Sequence, residues 1–541
     1  MAFRALTLLT TLLMLTCLSG CGTDPKTTND LGGSGFIANH VDSAATPNII
    51  EGYVIKKSNG NLVCSDCHKT EMAEVTINRQ WADSAHAGHI LSKGVVKDET
   101  KQSPWAHYNW DDTASRKDCQ QCHTATGNSN FMKAQVAGTP YVAADNDFSH
   151  LEGWTATNKT SGQNELLYCW GCHEDVENGA LLAPTTKGIT TVNWADGSYV
   201  LDVTTGTMIA AKLPINVTLP NRGKSNTCMG CHSGRGNIET LMGKAFTPNP
   251  TAILFITDAA TFSTPKPTAT ATATHYMNAG ATIFNAITKV GYEFPALNYT
   301  NPDFFLHDST NCVACHMKSA SSHSFNVVSK DATTGEMTTI KTQATCDGCH
   351  SVPVMNATLL QLAADGYEEA LTIFNAALIT KGYVWTPNHP YFMFDFNGDK
   401  VLDDTDKRYT FTDPTTKVVS YHVTLPVAAT EAGGWKDVVN DDIIDSKDSV
   451  VVSPLWPVQG DLGAAHNYNY LHHEAGAYAH NSKYAKRLIF DSIDWLDGDL
   501  IVDGNSIDGQ IVIDATTYPA AAVWFGAPLG STGSYTVTIR P

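Results

Sequence analysis

Twelve of the fourteen cysteines in this chain belong to one motif, Cys-x-x-Cys-His, which occurs six times. Two thiols three positions apart lie on one side of a helical turn, where both reach the vinyl groups on one edge of a porphyrin. The next residue places its imidazole under the iron. The motif therefore predicts six covalently attached c-type haems. The cysteines are Cys64, Cys67, Cys119, Cys122, Cys169, Cys172, Cys228, Cys231, Cys312, Cys315, Cys346 and Cys349, and the proximal histidines are His68, His123, His173, His232, His316 and His350.

Disulfides and structural zinc are the two other interpretations of such cysteines. Exported thiols usually oxidise to disulfides, but a disulfide gives no reason for a histidine after every pair. Structural zinc needs four protein ligands, and each motif offers three. No cysteine after Cys21 lies outside the motif. Haem is the interpretation that accounts for every member of the set.

The spacing of the motifs constrains the fold. They begin 55, 50, 59, 84 and 34 residues apart, so no fixed period indicates a solenoid of stacked repeats. Six porphyrins supply much of the apolar surface that side chains otherwise provide. We therefore expect a mostly irregular chain between residues 50 and 350, with scattered α-helices wrapped around the haem array. A small β content is expected in the C-terminal tail.

The first twenty residues are typical of an export signal. Arg4 precedes an apolar run from Ala5 to Leu18, which is too short to span a bilayer. The segment from Leu18 to Cys21 resembles the lipobox of bacterial lipoproteins. That resemblance implies cleavage before Cys21, lipidation of its thiol and stable anchoring through several acyl chains. Gly22 after the cysteine favours the outer membrane. The alternative is an ordinary secretory signal with an incidental cysteine.

Histidine is in surplus. The chain has 20 histidines, of which six are proximal, so 14 remain for six distal positions. Bis-histidine ligation is therefore the natural prediction. Methionine is the alternative axial ligand, and it raises the reduction potential. Isolated methionines are more often core filler, however.

Several stretches resemble the outer-membrane multihaem c-type cytochromes of metal-reducing bacteria. The resemblance covers about residues 60–500 and implies the multihaem cytochrome c fold class. Members of this family differ in haem number, so the resemblance does not fix a terminal partner. The matching stretches are Trp81–His89, Trp105–Trp110, His275–Phe284, Cys312–Lys318, Ser322–Phe325 and Gly476–Asn481.

Six histidines are the predicted distal ligands. His307 lies five residues before Cys312 and His323 seven residues after His316, offsets that suit a neighbouring haem better than the attached one. His275 opens a helical pattern with Ala279, Ile283, Phe284 and Ile287 on one stripe, and His480 precedes a second with Ala485, Ile489, Ile493 and Leu496. The predicted set is His86, His107, His275, His307, His323 and His480; His89, His150, His466, His472 and His473 are reserves, and His40 and His389 are expected to be ordinary surface residues.

The organisation of the chain is predicted from composition. A Pro-Thr-Ala stretch at 264–274 is typical of a linker. Residues 358–381 have the pattern of an amphipathic helix that ends at Gly382, and Tyr535 to Ile539 alternate like a strand. The predicted segments are a signal peptide at 1–20, a tether at 21–50, a four-haem region at 51–263, the linker at 264–274, a two-haem region at 275–357, a distal-ligand and calcium-loop region at 358–499, and a β-like tail at 500–541.

Residues 395–406 match an EF-hand-like calcium loop. Oxygen ligands occupy the expected positions, but Lys400 stands where glycine is expected and Asp406 where glutamate is usual. A solvated acidic turn is the alternative. Residues 437–448 match less well, because Val439 occupies the third position. The predicted calcium ligands are Asp395, Asn397, Asp399, Val401 (through its carbonyl), Asp403 and Asp406.

These features predict an electron-transfer protein rather than an enzyme. Acidic residues outnumber basic ones by 54 to 35, for a formal charge of −19, which argues against nucleic acid as a partner. The family resemblance implies a lipid-anchored protein at the cell surface, with partner cytochromes, a porin–cytochrome complex, metal oxides or ferric chelates as partners. A multihaem reductase of a small oxyanion or nitrogen compound is the alternative, although no Cys-x-x-Cys-Lys variant is present. A structural role in a filament or porin complex is compatible with either.

Overall fold

The computed structural model describes most of the chain after residue 110 and short stretches before it. The described residues are 40–41, 50–51, 77, 80–81, 84–87, 110–114, 116–117, 119–149, 155, 157, 165–175, 179–184, 186–191, 199–202, 207–210, 217–234, 246–248, 262–265, 275–294, 297–300, 307, 312–319, 322–350, 354–387, 391–415, 419–452, 454, 459–497 and 509–541. The signal segment, Cys21 and the first motif, Cys64 to His68, lie outside them.

Thirteen α-helices occur within these residues, and most of them are short. They are α1 (Gln120–His123), α2 (Ala125–Ala137), α3 (Cys169–Cys172), α4 (Asn226–His232), α5 (Ala279–Ile283), α6 (Asn285–Thr288), α7 (Cys312–His316), α8 (Gln343–Asp347), α9 (Ala357–Thr380), α10 (Gln459–His473), α11 (Ala477–His480), α12 (Ser482–Asp497) and α13 (Pro519–Trp524). Single 3-10 turns lie at Ala85–Ala87, Ala143–Asp145, Gly223–Ser225, Ser322–Ser324, Asp404–Asp406 and Ser446–Asp448.

The described strands form only two-stranded antiparallel pairs. The pairs are β1 (His40–Val41) with β2 (Ile50–Glu51), β3 (His173–Asp175) with β4 (Ala180–Leu181), β5 (Tyr199–Asp202) with β6 (Thr207–Ala210), β7 (Phe246–Pro248) with β8 (Phe262–Pro265), β9 (Val328–Lys330) with β10 (Met337–Ile340), β11 (Tyr383–Trp385) with β12 (Phe392–Phe394), β13 (Tyr409–Thr412) with β14 (Val419–His422), and β15 (Ile511–Asp514) with β16 (Ser534–Val537). The expected class, irregular with scattered helices and small β content, is confirmed.

Two discontinuous units divide the chain. The first contains residues 1–190, 220–231 and 310–355, and the second contains 191–219, 232–309 and 356–541. The ten described cysteines, which belong to the second to sixth motifs, all lie in the first unit. The predicted division into four-haem and two-haem regions at residues 264–274 groups the chain by sequence order, whereas these units group it by contact. It stays a prediction about haem grouping.

Helix α2 organises the first unit. Thr124 caps its N-terminus by accepting from Gly127 N at 2.8 Å, and the buried Glu165 accepts from Thr126 N at 2.9 Å. Gly127 is required here, because a Cβ atom would lie 2.0 Å from the carbonyl oxygen of Gln120. These contacts stabilise a helix whose sequence has little amphipathic pattern, because they satisfy the first N–H groups of the helix.

The second unit has the larger helical core. Asn467 of α10 accepts from Tyr292 N at 2.6 Å and donates to Ser492 Oγ of α12 at 3.0 Å. Asp461 accepts hydrogen bonds from Tyr383 at 2.7 Å and Trp495 at 2.9 Å. The core is therefore joined by buried polar contacts as well as by apolar packing. No helix among the described residues is long and apolar enough to cross a membrane.

Candidate haem centres

The described motifs lie on short helices or at their ends: the second, third and fifth on α1, α3 and α7, the fourth at the end of α4, and the sixth across the end of α8. His123 N donates to Cys119 O at 3.1 Å, and His350 N donates to Cys346 O at 2.8 Å. This i to i+4 bond holds the two cysteines on one side of the turn, as haem attachment requires. The ten described cysteines form no disulfide with one another.

Several of the described thiols lie in surroundings that favour uncharged sulfur. Burial raises the pKa of Cys172 to about 12, with the neighbouring Cys169 adding to the effect. Hydrogen bonding to Cys312 and burial hold the pKa of Cys228 well above its usual range, and Cys122 and burial do the same for Cys231. Zinc is bound by thiolates, which such surroundings destabilise, whereas a haem thioether is neutral. The donor set therefore fits haem better than zinc.

Apolar residues surround the third motif in particular. Cys169, Trp170 and Cys172 pack against a buried cluster of the first unit. Gly171 makes this approach possible, because a Cβ atom would lie 3.0 Å from Ala125 Cα. Asn128 Nδ2 donates to Gly171 O at 2.9 Å and fixes the turn on α2. The cluster consists of Trp81, Ala87, Ala125, Phe148, Leu166, Leu167 and Tyr168.

Hydrogen bonds connect one motif to the next within the first unit. Gln121 of the second motif donates to Gly230 O of the fourth at 2.8 Å. Val313 N of the fifth motif donates to Ser225 Oγ, just before the fourth, at 3.2 Å. Thr345, just before Cys346 of the sixth motif, donates to Ala314 O of the fifth at 2.9 Å. The contact order is thus second, fourth, fifth and sixth, an order that the sequence alone did not predict.

His173 and His323 have the separation of two ligands of one iron. Their ring centroids are 6.2 Å apart and their planes differ by 28°. Two imidazoles on opposite sides of one metal have centroids about 6 Å apart, since each bond is about 2.0 Å and the centroid lies about 1.1 Å behind the nitrogen. Burial, with His173 adding to it, lowers the pKa of His323 to about 4. That pKa keeps the imidazole neutral, which is the ligating form.

Backbone carbonyls fix the tautomers of two proximal histidines. His316 Nδ1 donates to Phe325 O at 2.8 Å, and His232 Nδ1 donates to Met277 O at 2.9 Å. A carbonyl only accepts, so Nδ1 carries the proton and the basic lone pair is on Nε2. This arrangement is typical of metal-ligating histidine. Sequence reasoning missed Phe325 and Met277, because a carbonyl partner leaves no side-chain signal.

Phe325 also contacts predicted distal ligands. Its ring lies edge-on to His86, with centroids 4.4 Å apart, and 6.2 Å from that of His323. Its φ of 59° is unusual for a bulky side chain. This conformation allows one residue to present a carbonyl to a proximal histidine and a ring to two predicted distal ones.

The remaining predicted ligands fall into three groups. In the second unit, His307 Nδ1 donates to Ala479 O and His480 Nδ1 donates to Glu474 Oε1 at 2.6 Å. His275 has a φ of 76° and lies edge-on to Tyr276. Among the reserves, the buried His466 uses Nε2 to donate to Val290 O at 2.9 Å, which makes it a core histidine. His107, His89, His150 and His389 lie outside the described residues.

The acidic loop at 395–406 is tightly hydrogen-bonded. The buried Asp395 accepts from Gly398 N at 2.6 Å and from Lys400 N at 2.7 Å. The buried Asp406 accepts from Phe396 N at 2.8 Å. Lys400 takes a φ of 70°, the left-handed conformation that glycine usually supplies at this position. The departure at Lys400 therefore does not prevent the loop from forming.

The loop at 437–448 repeats this geometry 42 residues later. Asp437 accepts from Asn440 N at 2.6 Å and from Asp442 N at 2.7 Å, and Asp442 has a φ of 64°. In this second loop Lys447 Nζ lies 3.1 Å from Asp441 and 3.5 Å from Asp445. The hydrogen bond that Lys447 donates to Asp441, together with the negative charge of Asp441, raises the pKa of Lys447. A lysine thus places its charge among the carboxylates where the first loop has Thr405.

Comparisons with known proteins agree with the motif geometry. Residues 92–182 match the model of C-type polyheme cytochrome domain 2. The chain is 35% identical over 520 residues to the C-type polyheme cytochrome OmcB of Geobacter sulfurreducens, which covers 88% of this chain and 61% of that protein. It is 35% identical over 533 residues to OmcC of the same species, covering 90% of this chain and 61% of OmcC.

The chain spans 61% of the length of the curated relatives it matches. No solved structure matches it significantly. The family match covers the second and third motifs in full, and the similarity to both relatives extends over most of the chain. Together with the motif geometry, these matches show a C-type polyheme cytochrome domain at residues 92–182 and similarity to polyheme c-type cytochromes over most of the chain.

Proposed function

We propose that this protein transfers electrons along a chain of bis-histidine haems. The single observation that carries the proposal is the run of direct contacts from the second motif through the fourth and fifth to the sixth. Haems attached to neighbouring turns lie close together, which is the arrangement that electron transfer between them needs. The relatives are named polyheme cytochromes, which supports the same function.

In this proposal, the protein's residues bind the haems and adjust their reduction potentials. When bound, haem iron supplies reversible one-electron oxidation and reduction. The motif cysteines would tether each porphyrin, and the proximal and distal histidines would hold the iron. We assign His323 as the distal ligand opposite His173, because of the 6.2 Å separation of their rings. His86, His107, His275, His307 and His480 are the other proposed distal ligands, and six is the proposed number of haems.

Localisation and partners are part of the proposal. A lipobox at Leu18–Cys21 supports anchoring of the protein in the outer membrane at the cell surface, by lipid on Cys21. The acceptors that suit such a position are partner cytochromes, a porin–cytochrome complex, metal oxides and ferric chelates. A chain of −19 formal charge favours positively charged acceptors over nucleic acid.

We also propose that the first acidic loop, residues 395–406, binds one calcium ion. Asp395, Asn397, Asp399, Asp403, Asp406 and the carbonyl of Val401 form the proposed ligand set. The contrast with the second loop supports this assignment. There the third position is Val439 and Lys447 already places a positive charge beside Asp441 and Asp445, whereas the first loop has Asn397 and Thr405 at the equivalent positions.

A reoxidation assay separates a carrier from a reductase. We expect the reduced protein to give electrons rapidly to ferric citrate, with or without cyanide, because transfer through a haem edge needs no loss of a ligand. Nitrite and hydroxylamine should reoxidise it slowly. A substrate-binding iron behaves differently, since cyanide competes for it. Sustained, cyanide-sensitive turnover of nitrite or hydroxylamine would overturn the carrier function and establish the reductase instead.

A further inference from the structure

Glu474 places a buried carboxylate against one of the proposed distal ligands. The residue is 2% exposed and follows α10 directly. Its Oε1 atom lies 2.6 Å from His480 Nδ1 at the end of α11. Its Oε2 atom is buried and has no hydrogen-bond partner among the described residues. Glu474 is therefore a carboxylate whose partner in the described part of the chain is one imidazole.

The corner between α10 and α11 is built to hold this pair. Ala477 N donates to Glu474 O at 3.0 Å, and His480 N donates to Gly476 O at 2.8 Å. Tyr367 donates to Glu474 O at 3.2 Å and fixes the corner from α9. Gly476 leaves room for the imidazole of His480 to pack against the same helical turn, because a Cβ atom at residue 476 would lie 2.5 Å from His480 Cε1. These contacts together fix the position of the His480 imidazole ring.

The negative charge of Glu474 indicates a role for the pair that Glu474 forms with His480. A carboxylate buried without a compensating positive charge is costly. No lysine or arginine in the described residues forms an ion pair with Glu474, so His480 is the group that balances its charge, either as a protonated imidazole or as an imidazole bound to a metal ion. A ferric iron bound at Nε2 would supply that positive charge through the ring. It also makes Nδ1–H a stronger donor to the carboxylate.

We propose that Glu474 is the positioning residue of His480 and lowers the reduction potential of the haem that His480 ligates. The inference rests on the proposed ligation by His480. The carboxylate holds the proton on Nδ1 and so presents Nε2 to the iron. Its negative charge stabilises the ferric state over the ferrous state.

The electron count is simple. One electron would pass from a neighbouring ferrous haem to this ferric haem, so that the neighbour is oxidised and this haem is reduced. No bond would form or break, and the proton would stay on Nδ1. Because Glu474 disfavours the reduced state, this haem would hold an electron for a smaller share of the time than a haem without such a carboxylate.

The test is a spectroelectrochemical titration of the haem-loaded, full-length protein. Glu474→Gln keeps the shape of the side chain and removes its charge. We expect one haem equivalent to shift to higher potential by at least tenfold in its ferric-to-ferrous ratio, which is about 59 mV for a one-electron couple. All haems should stay low-spin. The matched control is Asp461→Asn, which neutralises another buried carboxylate of the same unit and should leave the titration unchanged.

The outcomes separate this inference from the ligation on which it rests. Unchanged potentials in a low-spin Glu474→Gln protein would overturn the role of Glu474 while leaving His480 as ligand. A wholly low-spin His480→Ala protein would instead remove His480 from the ligand set. If Glu474→Gln does not accumulate, electron paramagnetic resonance of the wild-type ferric protein decides. One low-spin signal should have a narrower spread of g values, because a carboxylate-bonded imidazole is a stronger donor, and uniform signals would contradict the inference.

Discussion

At the scale of single residues, four of the proposed haem ligands bond to the protein through the same ring nitrogen. His232, His307, His316 and His480 all donate from Nδ1, which puts the lone pair on Nε2. His466 donates from Nε2 instead and is buried in the helical core. The sequence cannot show this difference, because it depends on a carbonyl or carboxylate brought in by the fold. Histidine number was predictable, and histidine role was only partly so.

Two substitutions test that distinction. We expect His480→Ala to give a high-spin ferric signal from about one haem, because one iron loses its distal ligand. His466→Ala should leave every haem low-spin and lower the free energy of unfolding by about 2 kcal/mol, as expected when a buried side chain is truncated. Electron paramagnetic resonance and thermal unfolding measure the two effects. A high-spin signal from His466→Ala would contradict the assignment of His466 to the core.

At the scale of elements, the sequence predicted long regular segments better than short ones. The helix expected at 358–381 is α9 at Ala357–Thr380, and it ends before Gly382, whose φ is 82°. The apolar stripe predicted for α12 is also confirmed, because its members Ala485, Ile489, Ile493 and Leu496 are buried. The single helix expected after His275 is wrong. It is divided into α5 and α6, and Ile287 is exposed.

Buried polar contacts explain that error. Thr282 bonds with Tyr470, and Asn285 accepts from Asn481 Nδ2 at 3.0 Å. These side chains turn toward the core, so they displace the apolar stripe that a helical period predicts. The second acidic loop, residues 437–448, shows the opposite error, because its sequence pattern underestimates its structural similarity to the first loop. Val439 makes it a poorer sequence match, yet its backbone follows the first loop, because Asp437 and Asp448 supply the bonds that shape it.

Calcium removal tests the first loop. Chelation should lower the melting temperature of metal-loaded protein, because a ligand that binds only the native state stabilises it, by about 2.7 kcal/mol at 100 times its dissociation constant. The double change Asp395→Ala, Asp399→Ala should abolish the difference between chelated and loaded protein. Asp404→Ala is the matched control, since this exposed loop residue pairs with Lys407 and is not a proposed ligand. No effect of chelator on protein shown to be metal-loaded would exclude a structural calcium site here.

At the scale of the whole molecule, we expect the proposed haems to add apolar surface to the core that the described side chains form. The motifs and their cofactor were predictable, because six intact copies of one specific pattern carry that information locally. The order of contact was not, since spacings of 34 to 84 residues say nothing about which turns meet. That order depends on particular side chains, such as Gln121 and Thr345, which hydrogen-bond to the backbone of another motif.

The number of haems is the prediction that belongs to this scale. Intact mass spectrometry of the matured protein should show the polypeptide and its lipid plus six haems, because each motif offers two thiols and a ligand to one porphyrin. Replacing Cys312 and Cys315 with serine should remove one haem from that mass. Replacing Ser225, whose hydroxyl accepts a hydrogen bond from the backbone of the fifth motif, with alanine should retain all six. A homogeneous wild-type protein with fewer than six haems would show that at least one motif does not bind haem. The proposed chain of haems would then lack that member.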